Sequence, residues 1–242
     1  MRELQDINER VPKGYFWKGQ LQHLMFLLVM IPGALYLAEP ALGDSQWLGL
    51  SDRHWVWSTI AVVVTHQIIA WLVFRVQMCF SLFGRLFGKA DLTVWGIIFF
   101  PFLFARPLLT IAVGISDYGS LSVARPWQIG LGCLLLPPAM YTMYSVKRYF
   151  GFTRAIGADH FRDSYRKLPL VREGAFKYSD NAMYSFAFLM NWAIALLCGS
   201  KAALAIALFQ HTYIWVHMYC TEQSDLDILY GNNDTETANE TK

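Results

Sequence analysis

The chain has 242 residues, enough for one domain or two small ones, and a formal net charge of +2. Apolar residues make up 55% and charged residues 16%, with a mean hydropathy of +0.31, whereas soluble domains carry about 25% charged residues. The charges are segregated between long apolar runs, which excludes an ordinary soluble domain, and no basic, aromatic-interleaved surface supports nucleic-acid binding.

Six apolar runs follow one another, at 21–38, 55–74, 92–115, 127–149, 182–198 and 202–220. Runs near 20 residues predict membrane-spanning helices. Tyr15, Phe16 and Trp17 precede the first run and suit the membrane interface. That run is too long for the apolar part of a cleavable signal peptide and lacks a small-residue cleavage site, so it is expected to be retained. Pro101, Pro107, Pro137 and Pro138 predict kinks in the third and fourth spans. Arg106, inside the third, would meet a lipid phosphate, snorkel to the surface or find an internal partner. The fifth and sixth runs are joined by Gly199, Ser200 and Lys201 alone, which predicts a tight helical hairpin. The expected fold class is therefore all-α: a polytopic integral membrane protein of about six transmembrane helices ending in a hairpin. Its expected parts are an N-terminal segment 1–20, four spans within 21–149, a loop, hairpin and C-terminal region at 150–231, and a disordered tail at 232–242.

Alternate loops hold 16 of the 20 Lys and Arg residues; the intervening ones hold Arg53, Arg125 and Lys201. The positive-inside rule then places both termini in the cytoplasm. On that side the N-x-T sequences at Asn233 and Asn239 are chance matches to a glycosylation acceptor. Cys79, Cys133, Cys198 and Cys220 form no CxxC pair, so neither a metal site nor a disulfide framework is expected.

The sixth run carries Gln210, Tyr213, His217 and Thr221 at spacings of three and four, which puts them on one helical face, with His211 beside it. Such a stripe should face protein or a wet cavity rather than hydrocarbon. Interhelical hydrogen bonding that merely holds a hairpin together would use the same residues. Tyr184 and Asn191 share a face of the fifth run. The hairpin would bring Asp180 and Tyr184 beside His217 and Glu222, forming a polar cluster at the cytoplasmic rim. His160, in the long loop, reads as an ordinary loop histidine. The acidic residues Glu222, Asp225 and Asp227 leave the last span together.

Two C-terminal stretches carry a family pattern. The first runs from Leu170, Val171 and Gly174 through Phe176 to Asp180, Asn181 and Tyr184; the second runs from Glu222 and Gln223 to Tyr230 and Gly231. With one hairpin between them, they resemble the membrane methyltransferases that include isoprenylcysteine carboxyl methyltransferase and phosphatidylethanolamine N-methyltransferase. The family's Arg-His-Pro is here Asp180, Asn181 and Ala182, and its second glutamate is Gln223. The resemblance implies S-adenosylmethionine as cofactor, held by Leu170, Val171, Gly174, Phe176, Asn181, Tyr184, Tyr213, Glu222 and Gln223. A carboxylate at Glu222 would accept charge-assisted hydrogen bonds from the cofactor's ammonium, and Phe176, Tyr184 and Tyr213 would face its sulfonium. Leu226 and Tyr230, four residues apart, would pack the short helix that follows. An amine acceptor must lose a proton, which makes Asp180 or His217 the catalytic base. The expected partner is a lipid or lipidated acceptor in the membrane, with phospholipid amine N-methylation as the leading activity. Isoprenylcysteine carboxyl methylation, a sterol-reductase-like NADPH enzyme and a non-catalytic scaffold are the alternatives.

Overall fold

A computed structural model describes residues 11–230. Arg2, Arg10, both N-x-T sequences and the 232–242 tail lie outside the described residues. Seven helices organise the rest: α1 Gln20–Ala38, α2 Asp52–Phe80, α3 Asp91–Ser116, α4 Arg125–Ser145, α5 Leu189–Cys198, α6 Lys201–His217 and α7 Gln223–Tyr230. A hairpin of two-residue strands, Gln46–Trp47 against Leu50–Ser51, joins α1 to α2.

Four helical stretches are long and apolar enough to cross a membrane: Tyr15–Ala41, Asp52–Phe80, Leu82–Ser116 and Arg125–Phe150. The class is therefore the expected all-α membrane fold, but six full spans are not seen. Met183–Cys198 extends about 24 Å at 1.5 Å per residue, short of a ~30 Å hydrocarbon core, and the sixth helix, which runs on unbroken from α6 through Met218–Glu222 into α7, is not among the four. The expected hairpin is present. Gly199 caps α5, and the Ser200 hydroxyl accepts the Ala203 N–H to start α6. The prolines do not end their helices: α3 runs on through Pro101 and Pro107, and α4 through Pro137 and Pro138. In membrane helices neighbouring side chains and local changes of turn re-satisfy the backbone groups that a proline frees.

The core lies around α6, whose Ala202, Ala203, Ala205, Ile206 and Ala207 are buried against Ala34 and Ala38 of α1, Val56, Ile60 and Val63 of α2 and Val113 of α3. Small side chains bring backbones close, and van der Waals packing replaces the hydrophobic drive that lipid does not supply. The closest approach is at the entrance to α1. Gly19 has φ +82, and a Cβ there would overlap the Cys220 carbonyl oxygen, so only glycine fits.

α2 runs six residues past its predicted end and takes Arg75 with it. Rather than lying in a basic loop, Arg75 is fully buried. Its Nε is 3.1 Å from Asp225 Oδ1, and it donates to the Tyr15 carbonyl at 2.5 Å and to Ser224 Oγ at 3.0 Å. Asp225 accepts from the Tyr15 hydroxyl at 2.6 Å. The carboxylate expected at an exposed exit is thus an internal counter-ion.

Candidate active site

Three helices widen into π turns at the same end of the bundle. Val146–Phe150 follows α4, Met183–Ala187 precedes α5 and Met218–Glu222 follows α6. A π turn is a one-residue insertion into an α-helix and recurs at functional sites. Here each re-aims a side chain: Phe150, Tyr184 and Glu222.

The Tyr184 hydroxyl donates to Glu222 Oε2. On the other side, His217 Nε2 is 3.5 Å from Glu222 Oε1, yet neither ring nitrogen of this buried histidine makes a hydrogen bond. The Glu222 side chain is 20% exposed. Burial lifts its pKa to about 7, helped by the Asp225 and Asp159 carboxylates and opposed by the Tyr184 hydroxyl and His160. The carboxyl therefore changes charge near neutrality. Beneath it, His23 of α1 hydrogen-bonds the Tyr213 hydroxyl at 2.9 Å, and its ring lies 5.8 Å from that of His217.

The expected stripe faces inward, with Gln210, Tyr213, His217 and Thr221 all fully buried. Gln210 donates to Thr110 of α3 at 2.8 Å, and Asn191 of α5 lies 3.5 Å from both. His211, off the stripe, accepts from the Trp192 indole at 3.1 Å. Part of the stripe is thus interhelical bonding; Tyr213 and His217 belong to the polar cluster.

The first family stretch docks on the end of α4. Gly174, at φ +62, leaves no room for a Cβ beside the Ser145 hydroxyl, which accepts the Ala175 N–H at 3.0 Å. Phe176 is buried and stacks on Phe150 at 4.9 Å. Val171 packs on the same cluster. Asn181 is half-buried, and its carbonyl accepts the Tyr184 and Ser185 N–H groups. Leu170, Asp180 and Gln223 are exposed, and the Gln223 amide turns to Asp227 at 3.5 Å rather than to Glu222. Asp180 instead lines an open cleft of about 340 Å³ with Arg172, Phe176, Lys177, Tyr178 and Ser179. The rim thus gathers Tyr184, His217 and Glu222, with Tyr213 below, and leaves Asp180 on the outer wall.

The 150–181 loop contributes what the sequence reading missed. His160 is buried, not a solvated loop residue, and it stacks on Phe74 at 4.0 Å. Burial opposes its charge, but Asp159 and Asp225 hold its pKa up to about 10. Its Nδ1 is 3.0 Å from Asp159 and its Nε2 is 3.6 Å from Asp225. The Tyr230 hydroxyl donates to Asp159 at 2.9 Å. In α7 the fully buried residues are Asp225 and Leu229; Leu229 packs with Tyr15 and Met78, and Tyr230 packs against that cluster as expected, while Leu226 is not part of it. This network fixes α7, and with it Glu222, against α2 and the chain entrance. A histidine inside an apolar run is the signal that would have flagged His23 and His66; His160 offered none.

Residues 127–233 match the family model described as phospholipid methyltransferase. No curated protein and no solved structure matches the chain. The match opens in the first turn of α4 and takes in all three π turns, the hairpin and α7. Over residues 127–233, less than half of its length, this all-α integral membrane protein is similar to the phospholipid methyltransferase family.

Proposed function

We propose that the protein transfers a methyl group from S-adenosylmethionine to the amine of a membrane phospholipid. The observation that carries this reading is the paired Tyr184 and Glu222 beside the unpartnered His217, inside the matched domain. Orphaned ring nitrogens next to a poised carboxylate are a donor–acceptor set that fits the cofactor's polar end. When bound, the cofactor supplies an electrophilic methyl on a sulfonium.

The chain's own groups do the rest. Glu222 accepts a charge-assisted hydrogen bond from an ammonium, and Tyr184 holds the carboxylate in place. Tyr213 and Phe176 offer ring faces to positive charge. Leu170, Val171, Gly174, Asn181 and Gln223 shape the outer wall. An ammonium head group is drawn to Asp180 on the outer wall and then gives up a proton to His217, whose ring nitrogens make no hydrogen bond. Holding amine and methyl in line supplies much of the rate. Both termini are cytoplasmic in this reading, so the water-soluble cofactor enters from the side of the π turns while the lipid enters between helices.

Incubating the purified protein with radiolabelled S-adenosylmethionine and a total lipid extract tests the reading. Label should appear in N-methylated phosphatidylethanolamine. Label only in a prenylcysteine ester would replace the acceptor, and no label in any lipid would refute methyl transfer.

A further inference from the structure

Arg75, Arg106 and Arg166 are the buried arginines among the described residues. Arg75 faces Asp225 and Arg166 faces Asp163. Arg106 is 3% exposed and has no carboxylate partner among the described residues; its Nε and Nη2 make no hydrogen bond. It sits 15 residues into α3 and 10 from its end, at about 22 and 15 Å along the axis, which is the depth of the hydrocarbon core. Its guanidinium stands over the Phe188 ring at 5.4 Å, a contact too weak to offset the desolvation of a full charge.

The neighbours of this cation are also unsatisfied. His66 of α2 is held between Phe99 and Phe102, and neither of its ring nitrogens has a partner. His217 is in the same condition. His66 stacks on Phe102, one turn before Arg106 on α3, and Tyr184 lies one turn before Phe188, whose ring Arg106 covers. The wall beside them is open in part: every side chain from Met183 to Met190 is half-buried. Tyr184 on that wall touches Glu222, and Phe188 one turn on lies under Arg106, so a site for a cation and a site for an anion share one side of the bundle.

We propose that Arg106, with His66 as a second donor, receives the oxyanion of a zwitterionic substrate whose ammonium end lies towards Glu222. The identity of the zwitterion rests on the proposed methyl transfer. Two substrates have this form: an aminophospholipid, with its phosphodiester, and S-adenosylmethionine, with its carboxylate. The oxyanion supplies the charge that the fold withholds from Arg106.

Arg106→Met separates the possibilities by calorimetric titration. It should lose about tenfold or more in affinity, the scale of a hydrogen-bonded charge pair, for one oxyanion-bearing compound and not for its stripped analogue. A loss for S-adenosylmethionine but not for decarboxylated S-adenosylmethionine assigns the oxyanion to the donor. A loss for short-chain phosphatidylethanolamine but not for octadecylamine assigns it to the acceptor. Dodecyl phosphate, which has neither amine nor adenosine, tests the anion site even if methyl transfer fails: the wild type should bind it and Arg106→Met should not. Because the variant removes an uncompensated buried charge, its ligand-free melting temperature should rise, and Arg106→Lys should retain partial binding. Unchanged affinities, or equal losses within each pair, overturn the proposal, as does a fall in melting temperature with dodecyl phosphate binding intact.

Discussion

Glu222 is a carboxyl whose charge is set by its surroundings. With a pKa raised to about 7 by burial, it is neutral below that pH and charged above it. If it binds the donor's ammonium, affinity for S-adenosylmethionine should strengthen as pH rises through about 7, and a flat calorimetric profile would remove Glu222 from the donor site. Glu222→Gln should weaken binding by about 1.5–3 kcal/mol, the worth of a hydrogen bond to a charged group. Because the Tyr184 hydroxyl holds the pKa down, Tyr184→Phe should move the midpoint of the profile to higher pH. His160 titrates in the opposite sense. Its folded pKa stands near 10 against an ordinary 6.5, so its contribution to stability is complete below about pH 6.5 and lost as pH rises through about 10. The wild-type melting temperature should fall more over that window than that of His160→Gln. The stripe of Gln210, Tyr213 and His217 was legible in the sequence because a helix converts spacings of three and four into one face. The pairing of Arg75 with Asp225 was not. Charge sorting assigns an arginine at the end of an apolar run to a loop, and no local pattern announces a partner that folding alone brings near.

At the scale of elements, the π turn at Met218–Glu222 sets where Glu222 points. Deleting Tyr219, whose side chain is 72% exposed, should restore an α turn and rotate everything beyond it by about 100°. S-adenosylmethionine binding should vanish in the deletion and survive in Tyr219→Ala; calorimetry on both proteins separates a change of register from loss of the side chain. One inserted residue barely disturbs a hydrophobic pattern of period 3.6, so the sequence showed the helices and hid their π turns. The same limit applies to α7. Its helical spacing was readable, but which side faces inward depends on Tyr15 and Met78, contributed from the far end of the chain.

For the whole molecule, the membrane class followed from composition and run length, and the fifth run was already short in the sequence; that the sixth helix runs on unbroken to Tyr230 was not legible, since its acidic residues end the apolar run without ending the helix. The proposed topology puts Lys177 and Lys201, both exposed, on opposite sides of the membrane. In a background lacking the four native cysteines, an impermeant thiol reagent should reach Lys201→Cys from outside and Lys177→Cys only from the cytoplasm; the reverse pattern would invert the topology. Breaking the Arg75–Asp225 pair with Arg75→Ala should destabilise the protein by up to about 3–5 kcal/mol, because a buried carboxylate loses its nearest counter-ion and keeps only His160, and detergent-phase melting measures this. That pair also has a consequence in time. Arg75 is separated from Ser224, beside its counter-ion, by 149 residues, and a ribosome adding about 5–20 residues per second needs roughly 7–30 s to cover them. Through that interval the growing chain has delivered a cation whose balancing charge has not yet been made. The second helix can settle to its final depth only when α7 has been translated, so the order of manufacture makes the later segment a checkpoint on the earlier one.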